Sequence, residues 1–184
     1  MSDTIIELQK RDHMLLDELL QRYERATPIG RRDTYREILN LVTTHAFAEE
    51  TVLFPFSRRV LASAEAITSE LESQHQRINE LMKELEAFEP GEAGFEVRAR
   101  ELFPLLHADV RNEEDRLLVA LEQRLGQEEL TRLGTTWAIA KRGAPKRAHP
   151  GIPRRPPGNL LAGIPLFFVD RMRELLARWR RAPQ

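Results

Sequence analysis

Apolar residues recur at spacings of three and four through most of the first 140 positions, the period of an amphipathic α-helix. Ile5, Leu16, Leu20 and Tyr23 share one face of a segment from Thr4 to Arg25, which the breaker ATPIG at 26–30 ends. A second segment opens at Asp33, a residue type that caps helix N-termini, and ends near Phe54 and Pro55. Its face carries Ile38, Leu41, Val42, Val52 and Leu53. The third runs from Ala62 to Phe88, with Thr68, Leu71, Ile78 and Met82 aligned, and stops at EPG, 89–91. The fourth runs from Phe95 to Leu125 before Gly126, and Pro104 inside it is expected to kink it or to split off a lead-in. A shorter fifth helix is expected over Glu128 to Lys141. Short connections favour antiparallel neighbours. The pattern therefore predicts an all-α fold, an up-down-up-down four-helix bundle over residues 1–126 with an accessory helix at 127–141.

Beyond residue 141 the pattern changes. Residues 142–158 hold five of the chain's 11 prolines, so an extended basic linker is expected, reaching to residue 163. Residues 164–184 read as a final amphipathic helix with Phe168, Met172, Leu175, Leu176 and Trp179 on one face and arginines opposite. The formal net charge of −1 hides a division. Residues 141–184 carry 11 Lys and Arg against 2 acidic side chains, while the rest of the chain is net −10. This tail suits docking on its own bundle or on a partner subunit, or attachment to an anionic membrane surface. Charge alone would also suit nucleic acid, but neither aromatic interleaving nor a reading helix supports that partner.

The informative anomaly is polar. His45 and Glu49 stand in the middle of the second segment's apolar face, four residues apart. His13 lies at the edge of the first face, His75 flanks the centre of the third together with Asn79, and Asp109 and Glu113 sit four apart on the fourth. By the same wheel His107, Glu114, Glu50 and Asp17 fall toward the flanks. With alternating helix directions and ~1.5 Å of rise per residue, the six core-facing groups come within about 6 Å of one level. Buried charges at that depth each cost several kcal/mol unless paired or metallated. Three imidazoles and three carboxylates, in a chain with no cysteine, suit iron, with manganese or zinc as weaker fits. Three carboxylates exceed what a structural zinc needs and favour two metals, with Glu49 and Glu113 bridging and the histidines terminal. A metal-free polar layer that fixes helix register is the competing reading.

The elements DH at 12–13, HAFAEE at 45–50 followed by Pro55, ESQH at 72–75 and NEEDRLL at 112–118 resemble the hemerythrin-like HHE cation-binding family, over about residues 4–125. That resemblance implies a bundle holding a non-haem di-iron centre, in members that bind oxygen, sense oxygen or nitric oxide, or handle iron. Two positions depart from the oxygen carriers, where Asn79 and Asp109 replace histidines. The exchange favours the ferric state and moves the site toward carboxylate-rich di-iron proteins that consume or sense oxidants. No phosphate loop or nucleophile triad accompanies the layer. The sequence thus speaks for a module that binds or senses a small diatomic or peroxide ligand. A peroxide- or oxygen-consuming enzyme and a metal-free interaction module are the alternatives. With no signal-peptide pattern and no run of about 18 apolar residues, the cytoplasm is the expected compartment.

Overall fold

The computed structural model describes residues 3–144. The final helix expected at 164–184, and the linker expected at 142–163 beyond its first three positions, lie outside the described residues, as do the docking readings attached to them.

Helix α1 (Ile5–Arg25) begins with a capping box. Thr4 Oγ1 accepts from the Glu7 amide at 3.2 Å, and the Glu7 carboxylate accepts from the Thr4 amide at 2.7 Å. Helix α2 (Pro28–Ala48) starts five residues ahead of the expected Asp33. The segment read as a breaker is a helix start: Thr27 caps it, and Pro28 occupies a first-turn position whose N–H has no intrahelical partner anyway.

The second rod does not stop at Pro55 either. It passes through a π turn, Glu49–Leu53, into α3 (Phe54–Val60). Pro55 falls just past the register change, where the Phe54 amide already reaches five residues back to the Glu49 carbonyl. After α4 (Ala64–Leu85), α5 (Ala93–Asn112) runs through Pro104 undivided. The carbonyl that Pro104 leaves without a donor belongs to Arg100, and both residues are exposed, so water can serve it. A second π turn, Glu113–Leu118, leads into α6 (Val119–Arg124), and α7 (Gln127–Arg142) closes the described chain.

Two apolar clusters define the direction of each rod. One contains Ile5, Leu53, Leu71 and Leu121, and the other Leu20, Ile38, Met82 and Leu102. Along α1 and α4 the chain leaves the first cluster for the second; along α2 and α5 it returns. The bundle is therefore up-down-up-down, as the sequence predicted. Between the clusters lies a layer containing His13, His45, His75, Asp109 and Glu113, so apolar burial on both sides holds the polar groups in register.

Helix α7 belongs to this core rather than decorating it. Leu130, Leu133 and Trp137 join the first cluster. At Gly134 an added Cβ would come within 2.7 Å of the Ile5 amide nitrogen and 2.9 Å of the Asp3 carbonyl oxygen, so only glycine lets α7 lie this close to α1. No described helix is long and apolar enough to cross a membrane.

Candidate metal centre

The six predicted side chains meet. His13 Nε2 lies 3.0 Å from Glu113 Oε2, and His45 Nε2 lies 3.1 Å from Glu49 Oε1 and 3.8 Å from Glu113 Oε2. His75 Nε2 is 3.3 Å from Asp109 Oδ2, 3.6 Å from Glu49 Oε2 and 3.7 Å from Glu113 Oε1. Among the described residues, two groups bring potential ligand atoms within 4.8 Å of one another: His13, His45 and Glu113, and Glu49, His75 and Glu113. Glu113 belongs to both, offering one oxygen to each side. Asp109 joins through His75.

All three histidines turn Nε2 inward because each Nδ1 is held from behind. His13 Nδ1 donates to Glu114 at 2.7 Å, His45 Nδ1 to Asp12 at 2.8 Å, and His75 Nδ1 to Glu50 at 2.9 Å. A ring that donates from Nδ1 presents its other nitrogen to the centre, which is how metal-binding histidines are usually oriented. Each carboxylate is the chain neighbour of one inward residue and serves the histidine of a different helix. The result is a cross-brace running from the second π turn to α1, from α1 to α2 and from the first π turn to α4.

Ideal helical spacing puts Glu50 and Glu114 on the flanks and offers Asp12 only as the chain neighbour of His13, so none of the three stands out in the sequence. The wheel assumed 100° per residue, while both glutamates lie inside π turns, where the backbone is wider and the face rotates. Their position directly after an inward glutamate was the available signal. Asn79 faces the cavity but donates to the His75 carbonyl at 2.9 Å, and His107 belongs to neither group.

Burial sets the electrostatics. It disfavours a charged His45, yet Glu49, Asp12 and Glu113 outweigh it and hold the ring well above its usual 6.5. His75 is likewise held well above 6.5, with burial opposed by Asp109, Glu113 and Glu50. His13 is raised as well, Glu113 and Glu114 overcoming burial and the repulsion of His45. Burial would lift Glu113, but the three imidazoles hold it well below 4.5. Burial followed by repulsion from Glu113 raises Glu49, and burial raises Asp109 beyond what the attraction of His75 can offset.

The donor set fits a hard or borderline cation. Buried His13 Nε2, both Glu49 oxygens, Asp109 Oδ1 and Glu113 Oε1 make no hydrogen bond of good geometry. Each such atom costs about 1–3 kcal/mol when left unsatisfied. Nitrogen and carboxylate donors without sulfur match iron, manganese or zinc. A cavity of about 30 Å³ adjoins the layer, lined by residues of both groups and by Leu16, Leu41, Val42, Ile78, Leu106 and Val110 among others.

A buried histidine–carboxylate layer crossing an antiparallel four-helix bundle defines a cation-binding bundle. Residues 4–121 match the Hemerythrin HHE cation binding domain, and the chain belongs to that family. It is 24% identical over 136 residues to an uncharacterized hemerythrin-like protein of Schizosaccharomyces pombe, spanning 73% of this chain and 67% of that one. It is 27% identical over 133 residues to a DNA nickase of Nostoc sp., spanning 72% of this chain but only 37% of that protein. The fold resembles the crystal structure of a Hemerythrin HHE cation binding domain-containing protein from Mycobacterium kansasii, with a TM-score of 0.66 at 20% identity over 76% of this chain and 86% of that one.

Proposed function

We propose that this protein holds two iron ions in the layer and uses them to bind or sense a small oxidant: oxygen, nitric oxide or peroxide. The observation that carries the reading is Glu113, whose two oxygens face two separate histidine groups in the way a bridging carboxylate must. His13 and His45 would be terminal ligands on one side. His75 and Asp109 would be terminal on the other, with Glu49 able to serve either through its two oxygens. Manganese and zinc suit the same donors less well, since three carboxylates at one centre stabilise a ferric ion in particular.

Bound iron would supply redox chemistry and an exchangeable coordination position. The chain's own residues do the rest. Asp12, Glu50 and Glu114 fix the imidazole orientations, the two apolar clusters exclude bulk water, and the roughly 30 Å³ cavity limits the visitor to a few heavy atoms.

Elemental analysis of protein from iron-replete cells, read with the near-ultraviolet and visible spectrum, tests this. Wild type should carry two iron ions per chain with charge-transfer absorption. Glu113→Gln should lose both ions and His13→Ala only one. Equal, partial losses in the two variants would defeat the bridging role. Peroxide or oxygen consumption by wild type but not by Glu113→Gln would move the reading from sensor to enzyme.

A further inference from the structure

Helix α7 lies past residues 4–121, so the family match assigns it nothing. Even so, it reaches the metal centre with two side chains, and both act on His45. Lys141 Nζ donates to Asp12 Oδ2, the oxygen that also accepts from His45 Nδ1 at 2.8 Å. One turn earlier, Trp137 meets the His45 ring in a T-shaped contact with centroids 5.5 Å apart. Lys141 also sits 5.2 Å from the Trp137 ring centroid, so the two groups brace each other. Trp137 is 2% exposed, and the Asp12–Lys141 pair is largely withdrawn from water, with side chains 12% and 24% exposed. Three elements, α1, α2 and α7, therefore converge on one imidazole.

We propose that α7 completes the metal centre, with Lys141 and Trp137 as positioning residues for His45, so that metal occupancy and docking of the last turns of α7 are coupled. The proposal rests on the metal reading above. A metal at Nε2 fixes the tilt of the His45 ring. The tilt fixes where the Nδ1 acceptor and the Trp137 ring must lie, and Asp12 in turn fixes Lys141. An ordered ring thus favours a docked α7, and by reciprocity a docked α7 preorganises the ring. His13 and His75 are braced by Glu114 and Glu50, both within the matched bundle, so the link to α7 runs through His45.

Backbone hydrogen exchange on the full-length chain tests the coupling, with and without ferrous iron under anaerobic conditions. Amides 139–142 are compared with those of α4 in the same sample, which removes any uniform stabilisation by the metal. Iron is expected to slow the end of α7 in wild type by about tenfold relative to α4, within the usual range of coupling between sites. Lys141→Met should take up iron yet lose most of this slowing, and Lys141→Arg, which keeps a donor for Asp12, should restore it. Equal slowing in Lys141→Met, or none in iron-loaded wild type, overturns the coupling and leaves the metal reading standing. Failure of wild type to take up iron in the same samples overturns both.

Discussion

At the scale of residues, the layer is legible because it violates the pattern around it. His13, His45, Glu49, His75, Asp109 and Glu113 stand where leucine would be expected, and a polar group on a core face needs a reason. Their electrostatics predict opposite pH trends for the two forms of the protein. In the absence of metal His13, His45 and His75 have folded pKa values above the 6.5 of the unfolded chain. Their contribution to stability is fully present below 6.5 and is lost as pH rises through the raised values. Glu49 and Asp109, raised from 4.5 and 3.8, act in the same direction from lower pH. Metal instead needs deprotonated nitrogens, so its affinity grows with pH. Between pH 6.5 and about 8 the melting temperature of chelator-stripped protein should fall, while the increment added by iron should rise. Thermal unfolding at several pH values checks this, and an apo melting temperature that climbs over that window would count against the arrangement of charges.

At the scale of elements, the order and direction of the helical rods among the described residues followed from periodicity and short connections, but the π turns did not. Nothing in EETVL or EEDRLL announces a change of register, because the wider turn is stabilised by what its side chains reach rather than by local propensity. The two turns begin at Glu49 and Glu113, the residues that enter both sides of the layer. The start of α2 was misread for a simpler reason: proline and glycine near a threonine look like a break until the threonine is recognised as a cap. The role of α7 was also understated, since a helix cannot be seen from its own sequence to rest on another's first turn. Gly134 makes that contact testable. Gly134→Ala raises helix propensity by about 1 kcal/mol in isolation. Here the added methyl meets backbone at 2.7 Å and 2.9 Å, which cannot swing aside as a side chain could. The variant should therefore be destabilised, by roughly 1–3 kcal/mol in denaturant unfolding. A stabilised variant would show that α7 can slide on α1.

At the scale of the whole molecule, the bundle is two apolar cores with a charged layer between them, and this arrangement decides what metal removal does. The cores need nothing from the layer to bury their surface, since Ile5, Leu53 and Leu121 on one side and Ile38, Leu81 and Leu102 on the other are all fully buried. The layer, in turn, can partly neutralise itself, because raised imidazoles face Glu113 while Glu49 and Asp109 are shifted toward their neutral forms. Chelation should accordingly leave the helical signal in far-ultraviolet circular dichroism nearly intact and lower the melting temperature. A ligand present at a hundred times its dissociation constant contributes about 2.7 kcal/mol to folding, and that contribution is what disappears. The loss should also be local. Amides of the two π turns and of the residues around His45 and His75 should exchange faster in apo protein, while those under the apolar clusters keep their protection. A chain that unfolds outright on chelation would mean that the metal, not the paired apolar cores, holds the bundle together.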